Sequence, residues 1–337
     1  MQAVIIAGGL GTRLRPLTLN RPKALVPLLN QPQILHILDR LPPAVDEVFI
    51  PVNYMYDQVR DFFHERETGR SVTVVEEREP LGTAGAVKNI GDAIAGTFAV
   101  YNGDVIDSLD FGALLKFHRK RRAMATVALY EVPDPSAFGV VAMDGDRITR
   151  FVEKPQEGEA PSRLINAGRY IFEPEILDAT EGGRFVSMER EVFPVLAAKG
   201  RLFGFPFEGQ WSDVGTLEGY LAATSILLAS GGAAVDAGAN VARARLDGAV
   251  LIAPGCAVAG RIGPDVVLGA RCRIEDAVIE RSVLFDAVQV EAGATVRRSI
   301  IGEDSTIGPG TTVENSIIGD GVRVKKGRRV IGERMAG

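Results

Sequence analysis

The chain has 337 residues, 46% hydrophobic, 24% charged and 7% aromatic, which points to a globular protein of about two domains and excludes a mostly disordered one. Lys and Arg total 38 against 43 Asp and Glu, a formal charge of −5, so the basic surplus of a nucleic-acid partner is missing. No apolar run approaches the roughly 20 residues that span a bilayer, residues 1–9 read as a strand and not as a leader, and two cysteines, Cys256 and Cys272, make no disulfide framework. A cytoplasmic protein without membrane contact is expected.

Residues 1–228 alternate between short runs rich in Val, Ile and Phe (3–7, 47–52, 71–77, 97–104) and helical patterns (33–40, 56–67, 83–94, 110–122). Strand, helix, strand at this spacing predicts βαβ units in a largely parallel sheet with helices on both faces. After residue 125 the pattern turns strand-heavy, at 125–132, 139–143, 148–153, 166–172 and 202–207. This predicts an antiparallel annex, with one helix at 188–199 and a last one at 217–229 before the hinge Ser230-Gly231-Gly232. The expected division is a first domain over 1–230, a linker over 231–244 and a second domain over 245–337.

The second domain is a repeat. Segments 280–296, 297–313 and 314–330 align as 17-residue units. Apolar residues stand six apart in each: Leu284, Val290, Val296; Ile301, Ile307, Val313; Ile318, Val324, Val330. A six-residue step cannot stay on one face of a helix of period 3.6. It fits a coil of three short parallel strands with one inward residue per side, stacked on identical coils.

The first strand runs into Gly8-Gly9-Leu10-Gly11-Thr12-Arg13-Leu14-Arg15-Pro16-Leu17-Thr18, with Pro22-Lys23 beyond. Glycines after a strand let backbone amides approach a polyphosphate closely. Arg13, Arg15 and Lys23 put three cations beside that loop. A dinucleotide-binding fold wants an acid about 20 residues on, and a P-loop ends in Lys followed by Ser or Thr. Neither is met, and the combination suits transfer at an α-phosphate.

These residues resemble the signature of the sugar-1-phosphate nucleotidyltransferases. Further landmarks of that family follow in order: Glu79-Pro80-Leu81-Gly82-Thr83-Ala84-Gly85, Gly103-Asp104, Phe151-Val152-Glu153-Lys154-Pro155, Asn166-Ala167-Gly168 and Trp211-Ser212-Asp213-Val214-Gly215. The tail is similar to the hexapeptide-repeat family. The resemblance implies an α/β fold: a Rossmann-like mixed-sheet nucleotidyltransferase domain, then a left-handed parallel β-helix. It also implies the reaction, NTP plus sugar-1-phosphate giving NDP-sugar and pyrophosphate, a problem of bringing anions together with cations and Mg2+.

By the same resemblance, Arg13 and Lys23 serve the triphosphate and the reacting centre, and Gly8, Gly9, Gly11 and Thr12 form the nucleotide loop. Gly82 and Thr83 lie against base and ribose. Asp104 and Asp213 hold one Mg2+, a hard ion suited to carboxylates and phosphate oxygens. Lys154 takes the phosphate of the sugar phosphate, Glu153 the sugar hydroxyls, and Asn166 with Gly139 and Gly168 completes the sugar pocket. Asp107 reads as a helix-start or loop acid.

Base and sugar rest on Glu77. A carboxylate can accept two parallel bonds from guanine N1–H and N2–H2, and the Glu-x-x-Pro-Leu-Gly-Thr-Ala-Gly string, with 151–156, 165–168 and 189–194, is similar to mannose-1-phosphate guanylyltransferases. GTP and mannose-1-phosphate are therefore the expected substrates. Glu76 and Glu79 stand as rival base readers, and a glucose-1-phosphate thymidylyl- or uridylyltransferase as the rival enzyme. A regulatory subunit that binds NDP-sugar is the non-enzymatic alternative. The repeat holds no histidine for acyl transfer; His36, His64 and His118 all precede it and read as packing or surface residues. A structural repeat and a homo-oligomer are expected.

Overall fold

Near-continuous runs of Val, Ile, Phe and Ala make strands wherever both faces of a sheet are to be covered. In the computed structural model, which describes Met1–Gly337, nine such segments form one sheet. They are β1 (Gln2–Ile6), β2 (Glu47–Val52), β3 (Ser71–Glu76), β4 (Phe98–Asn102), β5 (Ala125–Glu131), β6 (Gly139–Asp144), β7 (Arg147–Glu153), β8 (Leu164–Phe172) and β9 (Leu202–Pro206). Their order is β3-β2-β1-β4-β8-β5-β9-β7-β6. The first four pair in parallel, as the βαβ reading predicts. β8 runs antiparallel to β4 and β5, while β9 is parallel to β5. The expected annex is thus the continuation of one mixed sheet.

The helices that precede residue 110 are α1 (Gln33–Arg40), α2 (Tyr56–His64) and α3 (Gly82–Asn89). Both faces of the sheet are covered. Tyr170 and Phe172 of β8 pack with Val87, Val192 and Phe193 on one side. Ala167 and Ile171 pack with Leu114 on the other, the period of two that a strand imposes. Leu114 belongs to α4 (Phe111–Arg121), whose start is capped by Asp110 accepting from Ala113 N at 3.0 Å. His118, buried in that helix, bonds Thr126 and Glu173, and burial lowers its pKa. The helix expected over 188–199 opens instead as a π turn, Met188–Val192, before α5 (Phe193–Ala198). Pro194 has no N–H to close an α turn onto residue 190, and the wider turn absorbs that loss.

The chain divides into two units, Met1–Gly9 with Ile37–Trp211, and Leu10–His36 with Ser212–Gly337. The helix Leu217–Leu227 and the segment after the glycine loop group with the repeat. The expected linker is itself built in: Ala234–Val235 and Asn240–Leu246 pair in parallel with strands of the next coil.

In the second unit, short parallel strands stack in three ladders compatible with a β-helix. In the last coils partners lie 17 residues apart in each, as in Val283↔Ile300↔Ile317, Gln289↔Thr306↔Arg323 and Thr295↔Thr312↔Arg329, while earlier coils step by 16, as in Val250↔Val266 and Val267↔Val283. All nine apolar residues of the six-step pattern are at most 2% exposed. Chain reversal falls at left-handed backbone positions in the same register, Arg281, Arg298, Asn315 and Gly332. A serine ladder adds polar stitching inside the stack. Ser282 Oγ accepts from Ser299 N, Ser299 Oγ from Ser316 N and Ser316 Oγ from Glu333 N, each at 3.1 Å. Each hydroxyl also donates to a carbonyl of its own coil, so no buried oxygen is stranded. Cys256 and Cys272 are buried, free thiols in neighbouring coils. No helix is long and apolar enough to cross a membrane.

If the inward residues carry the stack, Ile301→Ala should cost about 2–5 kcal/mol, read as the loss of strand signal in urea. Arg323→Ala, on the outward side of a neighbouring ladder, should stay within about 0.5 kcal/mol of the parent.

Candidate active site

Ligands of open parallel sheets gather beyond the carboxyl ends of the strands, and the first unit places its candidate residues there. β4 ends at Asn102, and Gly103 N donates to Ile6 O of β1 at 2.9 Å. Asp104 follows directly, half-buried. Its loop is braced by Arg169, which donates to Asn102 O at 2.9 Å and Val105 O at 2.6 Å and pairs with Asp107 at 2.8 Å. Asp107 is therefore the buried anchor of that arginine as well as the acceptor for Leu109 N. Arg169 was not singled out in the sequence; a lone arginine inside an otherwise apolar strand was its only signal.

Glu77 lies just past β3 and is 5% exposed, whereas Glu76 and Glu79 are exposed. Its backbone is fixed by Val52 O and by Asn53 Nδ2, which donates to Glu77 O at 2.8 Å. Burial raises its pKa, opposed only by the backbone amide of Leu81. Its Oε1 is buried with no hydrogen-bond partner. An orphaned carboxylate oxygen costs folding free energy unless a ligand's donor satisfies it. The carboxylate faces Gly8: a methyl built on that glycine would stand 3.5 Å from Glu77 Oε2.

Gly82 and Thr83 open α3 (Gly82–Asn89). The Thr83 hydroxyl is engaged within the protein: it donates to Glu189 Oε2 at 2.7 Å and accepts from Met188 N at 2.8 Å. Glu189 sits on the π turn and is also close enough to push up the pKa of Glu153. It is a second acid of this region that the sequence reading had used only as part of a resemblance.

The expected sugar-side residues form a connected set. Gly139 has no room for a side chain: an added methyl would lie 2.5 Å from the Phe151 ring and 2.9 Å from Glu153 Oε2. Burial, then Glu189, raises the Glu153 pKa, and Lys154 at 3.7 Å opposes the shift. Lys154 itself is in left-handed backbone, φ 50°, a local cost of the kind found at binding sites. Asn166 accepts from Gly168 N at 3.0 Å and donates to Tyr170 at 2.8 Å. The ladder between β8 and β5 slips between Asn166 and Tyr170, where Gly168 (φ 73°) lies against Asn102. A side chain at 168 would meet Asn102 at 2.8 Å in a conformation it resists.

In the second unit the phosphate-side residues converge. Past Gly8 and Gly9, which follow the end of β1 in the first unit, Gly11 turns the chain with φ 62° and Thr18 donates to its carbonyl at 2.9 Å. Thr12 and the exposed Arg13 lie on the short 3-10 turn Thr12–Leu14; Lys23 opens a second one, Lys23–Leu25, and is 8% exposed. Arg13 Nη2 stands 3.6 Å from Asp213 Oδ2, and Gly215 N donates to Asp213 Oδ1 at 2.6 Å. A methyl on Gly215 would meet Arg13 Nη2 and Asp213 Oδ1 at 2.7 Å and Lys23 Nζ at 3.1 Å. Two cations and a carboxylate thus crowd one bare backbone position. No group of three or more His, Cys, Asp or Glu could hold a metal by itself, so a cation bound by these carboxylates would need ligand oxygens to complete its shell.

Comparison with known proteins identifies the family. Residues 2–230 match the family described as Nucleotidyl transferase, and residues 233–336 match the GMPPB C-terminal domain. The mannose-1-phosphate guanylyltransferase of Mycobacterium tuberculosis is 36% identical over 304 residues, covering 88% of this chain and 83% of that protein. The mannose-1-phosphate guanyltransferase beta-B of Xenopus laevis is 40% identical over 238 residues, 68% of this chain and 65% of its own length. Among crystal structures, HddC from Yersinia pseudotuberculosis complexed with GMP-PN aligns with a TM-score of 0.57 at 27% identity, over 67% of this chain and 99% of that one. A UDP-glucose pyrophosphorylase complexed with UDP-glucose shares the fold, with a TM-score of 0.59 at 23% identity over 67% of this chain and 97% of that one. The chain belongs to the nucleotidyl transferase family, with a C-terminal domain of the kind found in GMPPB.

Proposed function

We propose that the chain transfers GMP from GTP to mannose-1-phosphate, giving GDP-mannose and pyrophosphate. The observation that carries the choice of base is the orphaned, buried oxygen of Glu77. Guanine presents two parallel N–H donors to a carboxylate, while thymine and uracil present one N–H flanked by carbonyls. The names of the relatives support the same pair of substrates.

In this reading a phosphate oxygen of the sugar phosphate attacks the α-phosphorus of GTP in line. The bond to the β-phosphate's bridging oxygen breaks, and pyrophosphate leaves with that electron pair. The attacking oxygen is already anionic, so no protein nucleophile is needed. Arg13 and Lys23 offset the charge that gathers on the triphosphate and the departing pyrophosphate. Gly8, Gly9, Gly11 and Thr12 admit the phosphates to the backbone, and Gly82, with Thr83 bracing its helix, shapes the wall beside the base. Lys154 takes the phosphate of mannose-1-phosphate; Glu153, Asn166 and the backbone at Gly139 and Gly168 take its hydroxyls. Asp104 and Asp213 would hold Mg2+, their hard oxygens suiting it; when bound, the ion supplies further positive charge at the reacting phosphates. We also take the β-helix to be left-handed, the assembly to be a homo-oligomer and the place of action to be the cytoplasm.

A panel of GTP, dTTP, UTP, ATP and CTP with mannose- and glucose-1-phosphate, read as pyrophosphate release in Mg2+, tests the assignment. The highest kcat/KM is expected for GTP with mannose-1-phosphate. A preference for dTTP and glucose-1-phosphate would overturn the substrates and leave the reaction standing; no release from any pair would favour a regulatory subunit. Asp104→Ala and Asp213→Ala should each cut turnover about a thousandfold with the fold retained, seen by circular dichroism; near-parental rates in both would remove the metal role.

Glu77 gives a separate prediction. Only its carboxylate form accepts both guanine donors, and burial raises its pKa. KM for GTP should therefore rise as pH falls through the acid range, beginning at a higher pH than an exposed glutamate would allow, and stay flat above it. Glu77→Gln should lower kcat/KM for GTP about 10–100-fold, the worth of one charged hydrogen bond, and abolish that acid limb, while kcat/KM for UTP stays level or rises, since the amide can donate to a uracil carbonyl.

A further inference from the structure

The segment Leu10–His36 belongs with the coils of its own unit, and its grip on them runs along one corner of the stack. Asn30 Nδ2 donates to Leu268 O at 3.0 Å. Arg21 lies over the Phe285 ring, 5.6 Å from its centroid, and pairs with Glu303 at 3.1 Å and Asp320 at 2.7 Å. Pro16 packs where Gly319 is bare; a methyl there would meet its ring at 2.9 Å. Arg334 donates to the carbonyl of Arg13. Phe285, Glu303 and Asp320 stand on three successive coils, since Asp286, Glu303 and Asp320 share one position of the 17-residue unit.

Arg21 is the centre of this grip. Its side chain is 15% exposed, and burial alone would disfavour its charge, an effect that Asp320 and Glu303 outweigh. A planar guanidinium can hold two carboxylates and an aromatic face at once, which a lysine ammonium cannot. Lys23 follows two residues later, across Pro22, whose ring fixes the backbone between them. The stack thereby sets where Lys23 and Arg13 stand beside Asp213.

We propose that Arg21 is a positioning residue for nucleotidyl transfer, acting through Glu303 and Asp320, so that the C-terminal stack holds the phosphate-binding segment in its working shape. The proposal rests on the reading of Arg13 and Lys23 given above. Arg21 touches no reacting atom; its effect is to keep two mutually repelling cations at a fixed spacing, where small displacements cost rate.

The test compares the full-length parent with Arg21→Ala, Arg21→Lys, Glu303→Gln/Asp320→Asn and the triple variant Arg21→Ala/Glu303→Gln/Asp320→Asn, using whichever nucleotide and sugar phosphate the parent turns over. Arg21→Ala should lower kcat at least tenfold, with KM for the sugar phosphate within twofold. The paired acid variant should lose a similar factor, the triple variant no more than either, and Arg21→Lys should recover part of the loss. Hydrogen exchange should quicken at residues 10–30 and stay unchanged at 280–330. Turnover of Arg21→Ala within twofold of the parent, losses that multiply in the triple variant, or faster exchange throughout the coils would each overturn the proposal. Should Arg21→Ala not fold, the paired acid variant and Arg21→Lys decide by the same criteria. A parent inactive with every substrate pair would defeat the functional reading alone, and the exchange experiment would still decide the anchoring.

Discussion

Cations that serve a polyphosphate repel one another, and a loop that carries them needs a rigid backing to keep them together. In this protein that backing is a stack whose inward residues leave no slack. The six-step apolar pattern fills the interior, the serine hydroxyls tie one coil to the next, and the ladders keep one register over successive coils. Arg21 lies across three of those coils. In our proposal the rigidity of this stack bears on the geometry of Arg13, Lys23 and Asp213. Isolated surface ion pairs contribute little to stability; a partly buried pair of carboxylates on one guanidinium is a stronger constraint on position than on folding free energy.

The first unit solves a different problem, keeping polar atoms buried and ready. Glu77 is held by its backbone and left one oxygen short. Arg169 spends its donors on carbonyls at both ends of the Asp104 loop and its charge on Asp107. Glu189 is brought to Thr83 by the π turn that Pro194 forces. Each device fixes a side chain through its packed and hydrogen-bonded neighbours, which is how a geometry is kept within fractions of an ångström.

How much of this was legible in the sequence depended on whether the signal was local. The parallel strands, α4 with its Asp110 cap and the six-step repeat follow from period and capping, both short-range properties. Residues 231–244 read as a linker because this stretch is rich in Ala and Gly and lacks the large apolar steps; the backbone pairs all the same, since a parallel ladder needs amides and not bulk. The motif residues were found because they cluster in sequence. Arg169 and Arg21 were not assigned roles, because their partners lie 62 and 282 residues away in the chain, at Asp107 and Glu303. Glu77 could be proposed from spacing to Pro80, but its advantage over Glu76 and Glu79 is a matter of burial, which only the fold reveals.

The regular register of the stack also sets what lengths of insertion or deletion this tail can accept. Gain or loss of a single residue within one of the short strands would turn its inward side chain outward, whereas the earlier coils take a repeat one residue shorter, from Val250 to Val266 and from Val267 to Val283, and keep their buried faces. A whole unit of 17 inserted after Met335 would repeat every face one storey further along. The tail could therefore grow by complete storeys there while the corner that receives Arg21, and the hold of Arg334 on the Arg13 carbonyl, stay unaltered.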